Sequence, residues 1–245
     1  MRVTLPLIAG LIAASGCGSK TAAMDAGAPD LTPPPMVTEH GVMLDYQSLM
    51  PVAGLTITDG AASTMTDAQG MWMLMVPAGP LAPVVTGPSY SQDVFPSSTS
   101  AASDVDFGPQ VIPTASAYNL EQILLSNDNT KALVHLVALP STTCTDPSGG
   151  TVKVLSPAGA MVAYFAASSV PDPALTATQT VMAPRPIAVI FNVTPGADVS
   201  FEFHHPTCTQ VPYPATFNGK VLSGKVPTTA AEPNHVNSAL AMILQ

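Results

Sequence analysis

The sequence predicts an all-β protein: two tandem Greek-key β-sandwich domains that follow a signal peptide and a Pro-rich tether. Three observations lead there. Twenty-six Pro and 17 Gly, spread without a collagen-like period, interrupt nearly every window that could hold a long helix. Short apolar runs with period-two alternation recur between turn signals. The 245 residues are 47% hydrophobic and only 9% charged, enough for one large or two modest cores and too apolar for a disordered chain.

The first element is a leader. Arg2 precedes an apolar run from Val3 to Ala14 that is too short to cross a bilayer as a permanent helix. Ala14-Ser15-Gly16-Cys17 follows, and small residues directly before a Cys resemble the lipobox of bacterial lipoproteins. The resemblance implies a lipoprotein signal peptide over residues 1–16, cleaved before Cys17, with lipidation of the Cys17 sulfur and new amino group. Ala14 stands where the motif usually has Leu. An ordinary secretory signal cleaved near Ala14, or a buried strand, are the alternatives, and neither accounts for Cys17 as well. Several acyl chains anchor stably, because each buried methylene contributes about 0.8 kcal/mol. Gly18, rather than Asp, follows the Cys, and by the same resemblance favours the outer membrane. The expected partner is therefore the membrane, through a lipid anchor at Cys17.

Cleavage there removes Arg2 and no acid, which takes the formal charge from −9 to −10. With no basic run to neutralise phosphates, nucleic acid is not an expected partner. Residues 17–37 form the tether: small side chains, Asp25, Asp30 and Pro33-Pro34-Pro35, without hydrophobic periodicity.

The first β-sandwich is expected over residues 38–112. Gly41 to Tyr46 gives a strand, Pro51 to Gly54 a turn, and Leu55-Thr56-Ile57-Thr58 an alternating strand. Asp59-Gly60 and Asp67-Ala68-Gln69-Gly70 are turns, and Pro77-Ala78-Gly79 closes the strand that carries Trp72, Leu74 and Val76 on one face. Ser97 to Ser103 is a surface loop, after which Asp104 to Phe107 and Val111-Ile112 form the last strand. These motifs resemble the carboxypeptidase regulatory-like domain, a transthyretin-like β-sandwich: a Pro-x-x-Gly-like turn, Thr66 to Gly70 as the Thr-Asp-x-x-Gly turn, an aromatic-bearing strand with Trp72, and a Pro-x-Gly ending. In the zinc carboxypeptidases the resemblance implies an accessory unit without catalytic residues. None of the five histidines begins a His-x-x-Glu motif, so the peptidase domain itself is not expected.

Met71, Met73 and Met75 occupy the face opposite Trp72. Apolar residues on both faces mean either that a second domain or loop covers the strand, or that the outer side is an interaction face. Thioether ligation of Cu(I) is the remote alternative, because alternate positions on one flat strand converge poorly on one ion.

Residues 113–127 are a linker with a short helix from Ala115 to Leu125, N-capped by Ser116, with Tyr118, Ile123 and Leu125 on one side. Residues 128–245 are expected to form a second, divergent β-sandwich. Its strands are Leu133 to Val137, Thr151 to Val154, Met161 to Phe165, Ile187 to Phe191 and Val199 to Phe203, with Gly219 to Leu222 and Val236 to Leu244 as closing strands. If Cys17 is acylated, Cys144 and Cys208 remain as an even pair in an oxidising compartment and are expected to form a disulfide, the alternative being two buried thiols. His204-His205 sits near Cys208, but strand neighbours point to opposite faces, so a solvated strand end is expected and no metal.

No Gly-rich phosphate loop, Gly-x-Ser-x-Gly elbow or spaced carboxylate pair is present, so no enzyme and no cofactor are expected. The expectation is a non-catalytic, lipid-anchored outer-membrane protein of the cell envelope with an envelope protein as partner. A carbohydrate- or peptidoglycan-binding module is the alternative, weakened by one Trp and five Tyr as sugar platforms.

Overall fold

Alternating inward and outward side chains decide most of the architecture. The computed structural model describes residues 33–95, 98–127, 130–166, 170–181, 186–194, 199–208, 236–237 and 240–243. The first half contains β1 (Met36–Asp45), β2 (Thr56–Asp59), β3 (Ala62–Met65), β4 (Met71–Pro77), β5 (Gly79–Leu81), β6 (Val84–Thr86), β7 (Asp93–Val94), β8 (Ser98–Ser100) and β9 (Val105–Ile112). Helix α1 (Ala115–Leu124) leads to β10 (Ala132–Leu139), β11 (Thr151–Ser156), β12 (Met161–Tyr164), β13 (Ile187–Val193), β14 (Ser200–His204), β15 (Val236–Asn237) and β16 (Leu240–Ile243). The fold is all-β, with one short helix among the described residues. That helix is neither long nor apolar enough to cross a membrane.

Strand β1 lies between β4, antiparallel, and β9, parallel. Facing this layer are β2, β3, β6 and β7, paired in the order β3-β2-β6-β7. Strict alternation on β4 buries Trp72, Leu74 and Val76, and these share one core with Leu55, Ile57, Leu81 and Val85. Trp72, Phe95 and Phe107 pack with ring centroids 5.7 to 5.8 Å apart, each pair contributing roughly 0.5–1.5 kcal/mol beyond burial. Two glycines are needed here. At Gly41 a Cβ would lie 2.9 Å from the Gly108 carbonyl and 3.1 Å from Trp72 Nε1. At Gly70, φ is +73° and a Cβ would meet the Met43 carbonyl at 2.4 Å, while the Asp67 carboxylate accepts from the Gln69 and Met71 amides to hold the turn.

In the second half β10 and β13 are buried on both faces, as their continuous apolar runs require. Residues of even number on these strands, including Val134, Leu136, Ala188 and Ile190, pack toward Phe201, Phe203 and Val199 beside the two-stranded β11–β14 sheet. Leu133, Val137, Val189 and Phe191 pack toward α1 and the end of β1, whereas Val193, past a register shift, joins the first of these cores. A bond between Cys144 and Cys208, Cα atoms 5.8 Å apart and 64 residues apart in sequence, ties the first of these cores to the end of β14. In the chain-entropy account a loop of that length contributes about 4 kcal/mol.

The structure departs from the sequence-based expectations in four places. Ser98–Ser100 is a strand rather than loop, paired with Gly79–Leu81; polar side chains do not prevent backbone pairing in a short peripheral ladder. The helix is capped by Thr114, whose hydroxyl accepts from the Ala117 amide, and not by Ser116. Ile123 is 74% exposed, because five residues from Tyr118 carry it about 140° round the helix; Glu121 takes the inward place. The run from Val236 onward forms two short strands instead of one. β15 pairs with β7 and β10, and β16 pairs with β9 and β10, so they lie between the first-half strands and β10. The described residues from Pro34 on form one compact unit. The expected strand at Gly219 to Leu222 lies outside the described residues.

Among the buried polar side chains, Glu121 and Glu39 bear most on stability. Glu121 on α1 accepts from the Tyr46 hydroxyl through Oε1 and bonds His135 Nε2 through Oε2, with all three side chains almost fully buried. The network assigns the imidazole proton to Nε2 and leaves Nδ1 without a partner. Burial, then the Glu121 carboxylate, push the Tyr46 hydroxyl well above the ordinary tyrosine range. Glu39, inward on β1, has no hydrogen-bond donor at either oxygen and lies beside Asp59, which itself accepts from the Ala82 amide. Burial first, and Asp59 second, push the Glu39 carboxyl up to about 8.

Because the folded state holds the Glu39 proton more tightly than the unfolded chain, its contribution is complete below pH 4.5 and is lost as pH rises through about 8. Urea unfolding at pH 5 and pH 9 should show wild type losing a few kcal/mol that Glu39→Gln retains; equal pH dependence in both proteins would contradict this assignment. Tyr46→Phe removes the donor to a buried carboxylate and should lower unfolding free energy by about 1–3 kcal/mol without loss of fold, measured by the same denaturation.

Candidate functional site

Side chains of β4 alternate across the pleat, and the outward ones have no layer above them among the described residues. Among them are Met71, Met73 and Met75, which are 52%, 64% and 61% exposed. The antiparallel register sets Val42 opposite Met71, His40 opposite Met73 and Thr38 opposite Met75, all on the outer face of β1. On the other side of β1, His40 is level with Asp106 of β9, and His40 Nδ1 lies 3.5 Å from Asp106 Oδ1. Met65, also exposed, reaches the same surface from β3.

The result is a groove of about 820 Å³ whose walls include His40, Met65, Asp67, Met71, Met73 and Asp106. A second hollow of about 540 Å³ lies toward the other end of β4, between Met36, Met75, Asp59 and Leu81. Chemically the first groove combines soft thioethers, one imidazole and two carboxylates on an exposed strand surface. Contiguous exposed apolar side chains of this kind mark binding surfaces more often than inert ones, and Met side chains adapt readily to a partner's shape.

The other expected site residues separate. Cys17 lies outside the described residues. Cys144 and Cys208 are joined in the disulfide, with His205 beside them; donor atoms of these three residues lie within 4.8 Å of one another. That cluster is closed to a metal in this state. Both sulfurs are bonded to each other, His205 Nδ1 accepts the Cys208 amide at 2.9 Å, and Nε2 donates to the Ser148 carbonyl at 2.6 Å. Asp146 is held below the usual carboxylate range chiefly by Ser148, with His205 adding to the effect. His204 is turned to solvent beside Glu202 at 3.4 Å, and Lys153 lies 3.7 Å from the same carboxylate.

Sequence reasoning missed the Tyr46, Glu121 and His135 network. The one signal for it was a Glu on the helix face that also carries Tyr118, and only tertiary contact reveals the His opposite. The network is sealed from solvent, so it holds the core together and offers no approach to a substrate. Aromatic platforms are equally scarce: Trp72 is 4% exposed, and of the described tyrosines only Tyr90 is not buried.

No family model matches the chain, and no curated protein matches it. Among solved structures it is similar to the Bacillus anthracis TIE protein, at 8% identity and a TM-score of 0.26, covering 85% of this chain and 34% of that one. It is also similar to the shaft pilin SpaA from Lactobacillus rhamnosus GG, at 9% identity and a TM-score of 0.25, covering 86% and 98%. A third is GBS52, the minor pilin of Streptococcus agalactiae, at 12% identity and a TM-score of 0.26, covering 84% and 95%. The chain spans about a third of the first of these proteins. Likenesses this distant carry no argument about function, and the site has to be judged on its own residues.

Proposed function

We propose that the protein is a non-catalytic, lipid-anchored component of the cell envelope that uses the Met71, Met73 and Met75 face as its protein-binding surface. The observation that carries this is the exposure of three methionines on one strand face, bordered by Met65 and Met36, where a solvated β-strand ordinarily places polar residues. The lipobox-like Ala14-Ser15-Gly16-Cys17 supports anchoring at Cys17. A disulfide belongs with an oxidising compartment and so supports export. Turns at Gly54 and Gly70, each with positive φ, and Trp72 in the core support the carboxypeptidase regulatory-like resemblance of the first half, which implies an accessory rather than catalytic unit. The Tyr46, Glu121 and His135 network is buried away from any approach by a substrate, which supports a non-enzymatic role. Buried aromatic residues weigh against the polysaccharide alternative.

A photo-crosslinking amino acid at position 73 of the exported protein should give a discrete adduct with an envelope protein, and the same group at exposed Leu155 on β11 should not. Identical adducts at both positions, or none at position 73, would count against the surface. Cys17→Ala should move the protein from the membrane fraction to the soluble fraction; retention in the membrane would remove the anchor from the proposal.

A further inference from the structure

We infer that the groove over β1 and β4 is a binding site for a soft monovalent cation, copper(I), held by His40, Met71 and Met73 with Met65 as a further thioether. This deepens the proposed function, because it rests on the methionine face being a binding surface. On β4 alone the methionines are spaced along a flat strand and do not converge. The fold supplies what the strand lacks. Register sets His40 directly opposite Met73, with Met71 on the diagonal, and all three on the outer face. Cross-strand partners have Cβ atoms about 4.5–5.5 Å apart and diagonal neighbours are about 7–8 Å apart, within reach of long side chains. Methionine has three rotatable side-chain bonds with which to close on one point.

The donor set selects the ion. Thioethers are soft ligands that favour copper(I) over magnesium or calcium, and imidazole suits copper as well. The carboxylate of Asp106, 3.5 Å from His40 Nδ1, stands where the outer partner of a metal-bound histidine stands. With Nδ1 turned to Asp106, Nε2 is the nitrogen available to a metal, and it makes no hydrogen bond to a described residue. Asp67 and Asp106, both in the groove wall, place negative charge around a cationic guest. The two cysteines of the folded region, which would otherwise compete for a soft ion, are locked in the disulfide. The thioethers are the soft donors left on an open surface.

The test is transfer of copper(I) from a colorimetric chelator to the purified full-length protein under anaerobic conditions, with silver(I) as a redox-inert probe followed by methyl resonances of the methionines. One equivalent should transfer, and silver should shift the Met71 and Met73 methyl signals and the His40 ring signals. His40→Ala and Met73→Leu should each weaken binding at least tenfold. Met161→Leu, at an exposed methionine on β12, should leave it unchanged. All of these side chains are at least partly exposed, and circular dichroism of each variant verifies the fold. Absence of stoichiometric transfer to wild type would overturn the inference. So would transfer that persists undiminished when His40→Ala, Met71→Leu and Met73→Leu are combined. The crosslinking experiment, run in copper-free medium, separates the two ideas: an adduct from position 73 without copper(I) transfer keeps the protein-binding surface and rejects the metal site.

Discussion

A carboxylate in a dry core must find partners, and the way Glu121 finds them sets where three parts of the chain meet. Tyr46 stands just past the end of β1, Glu121 on the inward side of α1, and His135 in the middle of β10. Losing either partner leaves charge or lone pairs uncompensated where the effective dielectric is low, which costs far more than the same change at the surface. Contacts among apolar neighbours such as Val111, Leu133 and Phe165 are non-directional, whereas the hydrogen-bonded triad fixes where donor and acceptor must stand. The network therefore gives the junction between the halves a single arrangement, while the surrounding side chains supply the bulk of the burial.

Legibility from sequence followed the range of the forces. Local signals worked where local chemistry decides: the Asp67 turn with its left-handed Gly70, the alternation on β4, and the continuous apolar runs of β10 and β13 were all visible as patterns of turn formers and hydrophobes. Failures came where a partner distant in sequence decides. Nothing in the Ser-rich run announces its ladder with Gly79–Leu81, and nothing in the stretch from Val236 on announces that it fits between β7, β9 and β10. The same division holds at the site. Methionines at alternate positions could be read directly, yet the register that brings His40 opposite Met73 and Asp106 beside it depends on β1 pairing with both neighbours.

Two sorts of unusual chemistry are kept apart by the first sheet. Its inner face carries Glu39, a carboxyl without a donor that is pushed up by burial and by Asp59. Its outer face carries the methionines and the His40–Asp106 pair. Residues adjacent on β1 thus experience opposite environments, because successive side chains alternate across the pleat. The inner group ties stability to pH, whereas the outer groups can be altered without opening the core. That separation leaves the exposed face free to be shaped by what it contacts.

The position of β16 has a consequence for how the molecule is made. Leu240–Ile243 joins the middle of the sheet, parallel to β10 and touching β9, although every other strand among the described residues precedes it in the chain. Synthesis runs from the amino end, so β9 and β10 must wait with neighbouring edges incomplete until residue 243 has emerged. Pairings of such long sequence separation form slowly, since the loop-closure entropy is lost before the contacts are gained. A nascent chain stalled before that point would hold unpaired backbone on β9 and β10 in reach of chaperones and translocation machinery.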